Sequence, residues 1–200
     1  MHILKHHKAL LTSLLASVAI AGCTTTNLQR GEQEGARGDY ASMLKWCEEA
    51  SREPNANPRA FKCVGDAHAR LGHRGRAEKA YLTYLDMVPG DSDTRMALVR
   101  LYYDDGKYKP ALAQAEKVVE TDPANYEAYF YMGEIHRMDK SCTPARKAYK
   151  RALEINPEYM QAKAGMEKLN KICRKPSRPP KVKKERKMKG GGKALREGQW

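Results

Sequence analysis

The chain has 200 residues, 41% hydrophobic and 30% charged, with a formal net charge of +13. These proportions are ordinary for a soluble helical protein. The charge is concentrated at one end: residues 171–200 hold twelve Lys or Arg against Glu185 and Glu197, which excludes a uniformly basic body and leaves the rest close to neutral. Phe and Trp number two each, whereas Tyr numbers 11. That balance suits a thin fold, in which rings are buried and hydroxyls stay wet.

Residues 1–22 read as a processing signal that takes no part in the fold. Lys5 and Lys8 mark a short positive region, and residues 9–20 form an apolar run too short to span a bilayer comfortably. The run ends in Ile20-Ala21-Gly22-Cys23. This tetrapeptide resembles the lipobox of bacterial lipoproteins, in which a branched apolar residue and two small residues precede the Cys at the cleavage point. The resemblance implies cleavage before Cys23 and acylation of its sulfur and of the new amino terminus. Several acyl chains anchor stably, since each buried methylene contributes about 0.8 kcal/mol. Thr24, standing where an inner-membrane retention signal has Asp, favours the outer membrane, facing the periplasm. The alternative is an ordinary signal peptide with an incidental Cys, or an uncleaved anchor.

The body carries an internal period. Pro89, Pro123 and Pro157 lie 34 residues apart in two equal steps, and Ala77, Ala111 and Ala145 keep the same step. So do Gly65, Val99 and Gly133, and His68, Tyr102 and His136. Small residues at these places let two helices approach, large ones fill the groove between them, and each Pro stops a second helix. Gly72 and Gly106 end first helices by allowing a left-handed turn. The pattern resembles the tetratricopeptide repeat. It implies an all-α solenoid of antiparallel helix pairs in units 58–91, 92–125 and 126–159. A degenerate copy follows the lipidated Cys in 23–57, and 160–173 is a capping helix. Arg95 departs from the pattern, where a large apolar residue is expected.

Four cysteines remain in a chain expected to be exported, which suggests disulfides. Antiparallel neighbours place residues level when they are equidistant from the connecting loop. Cys47 and Cys63 are centred on Asn55, and Cys142 and Cys173 on Pro157 and Glu158. The expected pairs are therefore Cys47–Cys63 and Cys142–Cys173, each stapling a terminal unit where a solenoid frays most. Closing loops of this size contributes around 3 kcal/mol in the chain-entropy picture. Buried free thiols are the alternative.

Residues 174–200 are too poor in apolar side chains to offset the entropy of ordering and are expected to be disordered. Such a basic arm suits an anionic surface, whether cell-wall polymer or lipopolysaccharide; export argues against nucleic acid. No nucleophile elbow, metal-ligand pair or phosphate loop occurs, so neither an enzyme nor a metal or other cofactor is expected. His68 and His136 sit at packing positions.

A concave face of first helices is expected to present Lys62, Asp66 and Ala69, then Met96, Arg100 and Tyr103, then Phe130, Glu134 and Arg137. This mixture of charges and apolar anchors suits an extended peptide or a partner helix. Some family members clamp a terminal carboxylate with Lys and Asn. Lys62 matches one such place, but Asp66 and Ala97 depart from the others, which puts that activity in doubt. The combined expectation is a lipid-anchored scaffold similar to the tetratricopeptide lipoproteins that assist pilus or secretion assembly. The alternative is an envelope-linking protein working through its tail.

Overall fold

The structure, a computed structural model, describes residues 26–173. They form the expected all-α solenoid. Its nine described helices are α1 (Asn27–Arg37), α2 (Tyr40–Ser51), α3 (Pro58–Arg70), α4 (Arg74–Met87), α5 (Ser92–Asp104), α6 (Tyr108–Thr121), α7 (Tyr126–Met138), α8 (Cys142–Ile155) and α9 (Met160–Ile172). From residue 58 onward first helices begin at 34-residue steps, and second helices do so from residue 40. Neither the expected signal and lipidation segment, residues 1–23, nor the basic segment 174–200 falls within the described residues. No described helix is long and apolar enough to cross a membrane.

Local chemistry fixes the starts and stops. Thr26 and Gln29 form a reciprocal capping box, with the Thr26 hydroxyl accepting from Gln29 N and the Gln29 carbonyl from Thr26 N. Asn57 caps α3, where Pro58 occupies the first turn, and Asn125 caps α7. First helices are ended by left-handed residues at one phase: Gly38, Gly72 and Gly106 have φ of 83°, 77° and 70°. At the fourth such place stands Lys140, with φ 58°. Second helices α4, α6 and α8 stop two residues before Pro89, Pro123 and Pro157, because the residue preceding proline is pushed out of helical geometry. Val88, Asp122 and Asn156 all have ψ between 73° and 92°.

The core runs along the stack between the two helix layers. Ala77, Ala111 and Ala145 are fully buried where first and second helices meet. Sixteen residues separate a matched pair in each unit. A methyl group on Gly65 would stand 2.5 Å from Tyr81 Cδ1, and one on Gly133 2.7 Å from Tyr149 Cδ1. In the first pair, Gly31 is likewise pressed against Cys47. The middle unit inverts the sizes, packing Val99 with Ala115 in one cluster. Volume is thus conserved across the contact, which is the condition a close-packed interior imposes.

Candidate functional site: the first-helix face

Along the first helices, side chains of adjacent units meet in rungs. Arg59 Nη2 donates to Glu32 Oε1 at 2.7 Å. Two units on, Arg100 grips both oxygens of Glu127, Nε at 2.9 Å and Nη2 at 2.6 Å. The two rungs use the same pair of phases with the charges reversed. Between them, Asp66 and Asp93 occupy the corresponding positions, and two carboxylates cannot pair. Lys62 is turned instead to Asp91, at 3.2 Å. Asp93 makes no ion pair with any described residue. Burial pushes the Asp66 carboxyl up, and the Tyr81 hydroxyl donating to it at 2.9 Å offsets this only in part. Exposed ion pairs contribute little stability, about 0–1 kcal/mol. Their effect here is to leave one rung electrostatically unsatisfied.

The other half of the face is aromatic. Tyr103 lies 5.2 Å from Tyr131, Tyr131 5.3 Å from Phe130, Phe130 5.3 Å from Tyr159, and Tyr159 4.9 Å from Tyr126, ring centre to ring centre. All four contacts are edge-on, the arrangement the ring quadrupole prefers. These rings are half-buried, so each keeps an edge at the surface. Behind them, Glu134 accepts from Tyr149 Oη at 2.5 Å and Tyr103 Oη at 3.3 Å and pairs with Arg137. Burial alone raises a carboxyl. Here Arg137 and the two phenols outweigh it, and the Glu134 pKa is lowered. The phenol of Tyr103 is pushed up to about 12, first by burial and then by the Glu134 charge.

Of the residues expected on this face, Lys62, Asp66, Arg100, Tyr103, Phe130 and Arg137 keep partial or full exposure. Met96 and Glu134 do not. Met96 is 2% exposed and packs with Val99, Ala115 and Val118. Ala115 stands where the flanking units have Tyr81 and Tyr149, and Met96 turns inward to fill that space. Glu134, at 7% exposure, is an internal acceptor rather than a contact. Tyr126, Tyr131 and Tyr159 complete the aromatic ribbon although sequence reasoning missed them. The high Tyr count was the available signal, but only Tyr103 and Phe130 fall on the expected stripe of the first helices.

The structure joins Cys47 to Cys63 with Cα atoms 5.8 Å apart, and Cys142 to Cys173 at 5.9 Å. His68 is buried with its Nδ1 3.3 Å from that of His73. No group of three or more His, Cys, Asp or Glu among the described residues could hold a metal ion.

Residues 96–159 match the family model of the tetratricopeptide repeat. Among curated proteins, the chain is similar to anaphase-promoting complex subunit 7 of Arabidopsis thaliana, 27% identical over 135 residues, 67% of this chain and 24% of that protein. It is also similar to the TPR repeat-containing protein YpiA of Bacillus subtilis, 23% identical over 141 residues, 70% of this chain and 33% of that one. The chain therefore spans about a quarter to a third of these relatives. Among solved structures it resembles the MamA protein, with a TM-score of 0.68 and 12% identity over 73% of this chain and 80% of that one. It also resembles YrrB, described as a TPR protein with an unusual peptide-binding site, with a TM-score of 0.65 and 20% identity over 70% of this chain and 73% of that one. These likenesses show the fold: a tetratricopeptide solenoid.

Proposed function

We propose that this chain is a lipid-anchored scaffold of a bacterial cell envelope that holds an extended segment of a partner protein along its first-helix face. The observation carrying this reading is the Asp66–Asp93 rung, whose two carboxylates make no ion pair between two satisfied rungs, continued by the ribbon of Tyr103, Tyr131, Phe130 and Tyr159. A basic side chain of the partner completes the rung, and apolar side chains further along lie on the ring edges. The solved neighbour described as peptide-binding has the same solenoid fold, which lends support by analogy. The Ile20–Cys23 motif supplies the anchor, and its outer-membrane sense follows from Thr24. The partner fits the class of machines that tetratricopeptide lipoproteins help assemble, pili and secretion channels among them.

Installing the missing cation in cis tests the groove. Asp93→Arg should reproduce the Arg59–Glu32 rung and weaken binding of a Lys-containing, Tyr- and Leu-rich probe peptide at least about tenfold, roughly 1.4 kcal/mol, by calorimetry. Unchanged affinity would sink the reading. The anchor is tested separately, by loss of palmitate labelling in Cys23→Ser. Removal of 174–200 separates the scaffold from the envelope-linking alternative, since only the latter loses envelope association beyond the lipid.

A further inference from the structure

A second surface lies on the other flank of α7. Tyr129, Met132 and His136 recur at spacings of three and four, so they form one stripe of the helix. At 100° per residue the centre of that stripe lies roughly 130° around the helix from that of Phe130, Glu134 and Arg137. Two cavities run along it and share His136. One, of about 510 Å³, lies between the start of α6 and the end of α7 and is lined by Tyr108, Leu112, Ile135 and Met138. The other, of about 570 Å³, lies between α7 and α8, over Met132, Pro144 and Ala148. Together they make a trough with an apolar floor, and Met138 is 46% exposed in it.

The preceding junction, in the same phase of the repeat, shows what ordinarily closes such a trough. There Tyr102 Oη donates to Glu78 Oε1 at 3.0 Å, Lys107 Nζ donates to Glu78 Oε2 at 3.2 Å, and Arg74 pairs with Asp105. Arg95 reaches Gln114 Oε1 at 3.2 Å and the Pro89 carbonyl at 2.7 Å. Thirty-four residues on, Tyr102 becomes His136, Glu78 becomes Leu112, Lys107 becomes Ser141 and Arg74 becomes Tyr108. Arg95 becomes Tyr129, and Gln114 becomes Ala148. None of these ties recurs: Leu112 and Tyr108 stand half-exposed in place of Glu78 and Arg74, and Arg151 lies over the Tyr129 ring instead, 5.9 Å from its centre. A surface that exposes apolar groups where its own repeat elsewhere seals them is marked for a partner.

The walls dictate what can lie there. Both are helices whose main-chain groups are already bonded, so an extended strand finds no backbone partner, whereas a helix arrives with its own groups satisfied. The rim dictates the charge. Lys109 and Lys147 line the trough and make no ion pair with a described residue. The acids nearby are engaged, Glu154 with Lys150 and Arg151 and Asp139 with the Ser141 hydroxyl. The chain's own segment 174–200 carries the same sign as this rim and is excluded as the occupant. We propose that the α6–α7–α8 trough is a second docking site, distinct from the first-helix face, which takes an amphipathic helix of a partner protein with acidic residues flanking its apolar stripe.

The test uses the full chain and a capped synthetic helix of about 16 residues, long enough to overlay α7. It carries Leu at i, i+3, i+4 and i+7 and Glu on both flanks, and a twin peptide carries Lys on the flanks. Fluorescence anisotropy should show saturable binding of the Glu peptide, with the Lys peptide at least about tenfold weaker. Lys109→Glu with Lys147→Glu, both exposed, should invert that preference. Leu112→Glu, His136→Tyr and Ser141→Lys together rebuild the closed junction and should weaken the Glu peptide at least about tenfold, with no fall in thermal midpoint. Asp93→Arg should leave it unchanged. Absence of saturable binding, equal affinity for the two peptides, or full binding by the closed variant overturns the proposal. So does quantitative displacement of the peptide by phosphatidylglycerol vesicles, which assigns the trough to lipid.

Discussion

In unit 58–91 the hydroxyl of Tyr81 donates to Asp66, and in unit 126–159 that of Tyr149 donates to Glu134, across the same first-helix to second-helix contact and beside the same kind of glycine. The surroundings of the two carboxylates differ in two ways: Tyr103 of the preceding unit also donates to Glu134, and the cations differ. Arg137 stands beside Glu134, while Ala69 occupies that phase beside Asp66. Burial acts upward on both, but only Glu134 has a cation close enough to reverse it, so one pKa is lowered and the other raised. The difference teaches that the buried phenol–carboxylate bond belongs to the repeat, whereas its charge state belongs to the neighbours each unit supplies, first among them the residue three positions on in the first helix.

The largest expected effect comes from removing that neighbour. Arg137→Ala leaves a buried carboxylate without its ion and should destabilise the chain by about 3 kcal/mol in chemical denaturation. Lys62→Ala, whose partner Asp91 also accepts from the Thr94 hydroxyl, should change stability by less than about 1 kcal/mol. The reciprocal change, Ala69→Arg, should bring the Asp66 titration down, as read by carboxyl carbon NMR.

Acidification should separate the two units next. Glu134 has a lowered folded-state pKa, so its contribution is present above the ordinary glutamate value and is lost as pH falls through the folded value. Asp66 has a raised one, so its contribution is present below the ordinary aspartate value and is lost as pH rises through the folded value. Below the ordinary glutamate value, about pH 4.3, amide protection should therefore fall in α7 and α8 relative to α3 and α4. Parallel loss in both units would contradict the difference in surroundings.

The smallest effect concerns the turns. Unit 58–91 closes its first helix with Gly72, and unit 126–159 with Lys140 in the same left-handed conformation. A side chain there is strained by about 1–2 kcal/mol. Glycine regains part of that as unfolded-chain freedom, so Lys140→Gly should stabilise by about 0.5–1 kcal/mol in thermal melts. Gly72→Lys should destabilise comparably.

The repeat was legible because its punctuation is local. A proline two residues past a second helix and a glycine after a first helix act within one turn of chain, and their 34-residue spacing survives in the sequence unchanged. The exposed half of the first-helix face was legible for the same reason, since helical periodicity puts Lys62, Asp66, Arg100 and Arg137 on one stripe. Met96 and Glu134 were not, because each turns inward toward a residue of the following helix, Ala115 in one case and Tyr149 in the other. Pairwise compensation of that kind is invisible when each unit is read against a consensus. The trough was hidden likewise: the loss of Glu78, Tyr102 and Lys107 as a trio appears only when two junctions are compared with each other.

The two disulfides have a mechanical consequence. Cys47–Cys63 closes a loop across α2 and α3, and Cys142–Cys173 closes one across α8 and α9, spanning 16 and 31 positions of sequence. If the chain is loaded by pulling on its two ends, neither loop can lengthen while its bond is intact. Extension within the stapled span must come from residues 64–141, the stretch that holds α4, α5, α6 and α7. The covalent links therefore leave the interior of the stack, where the open trough lies, as the extensible section between two stapled loops.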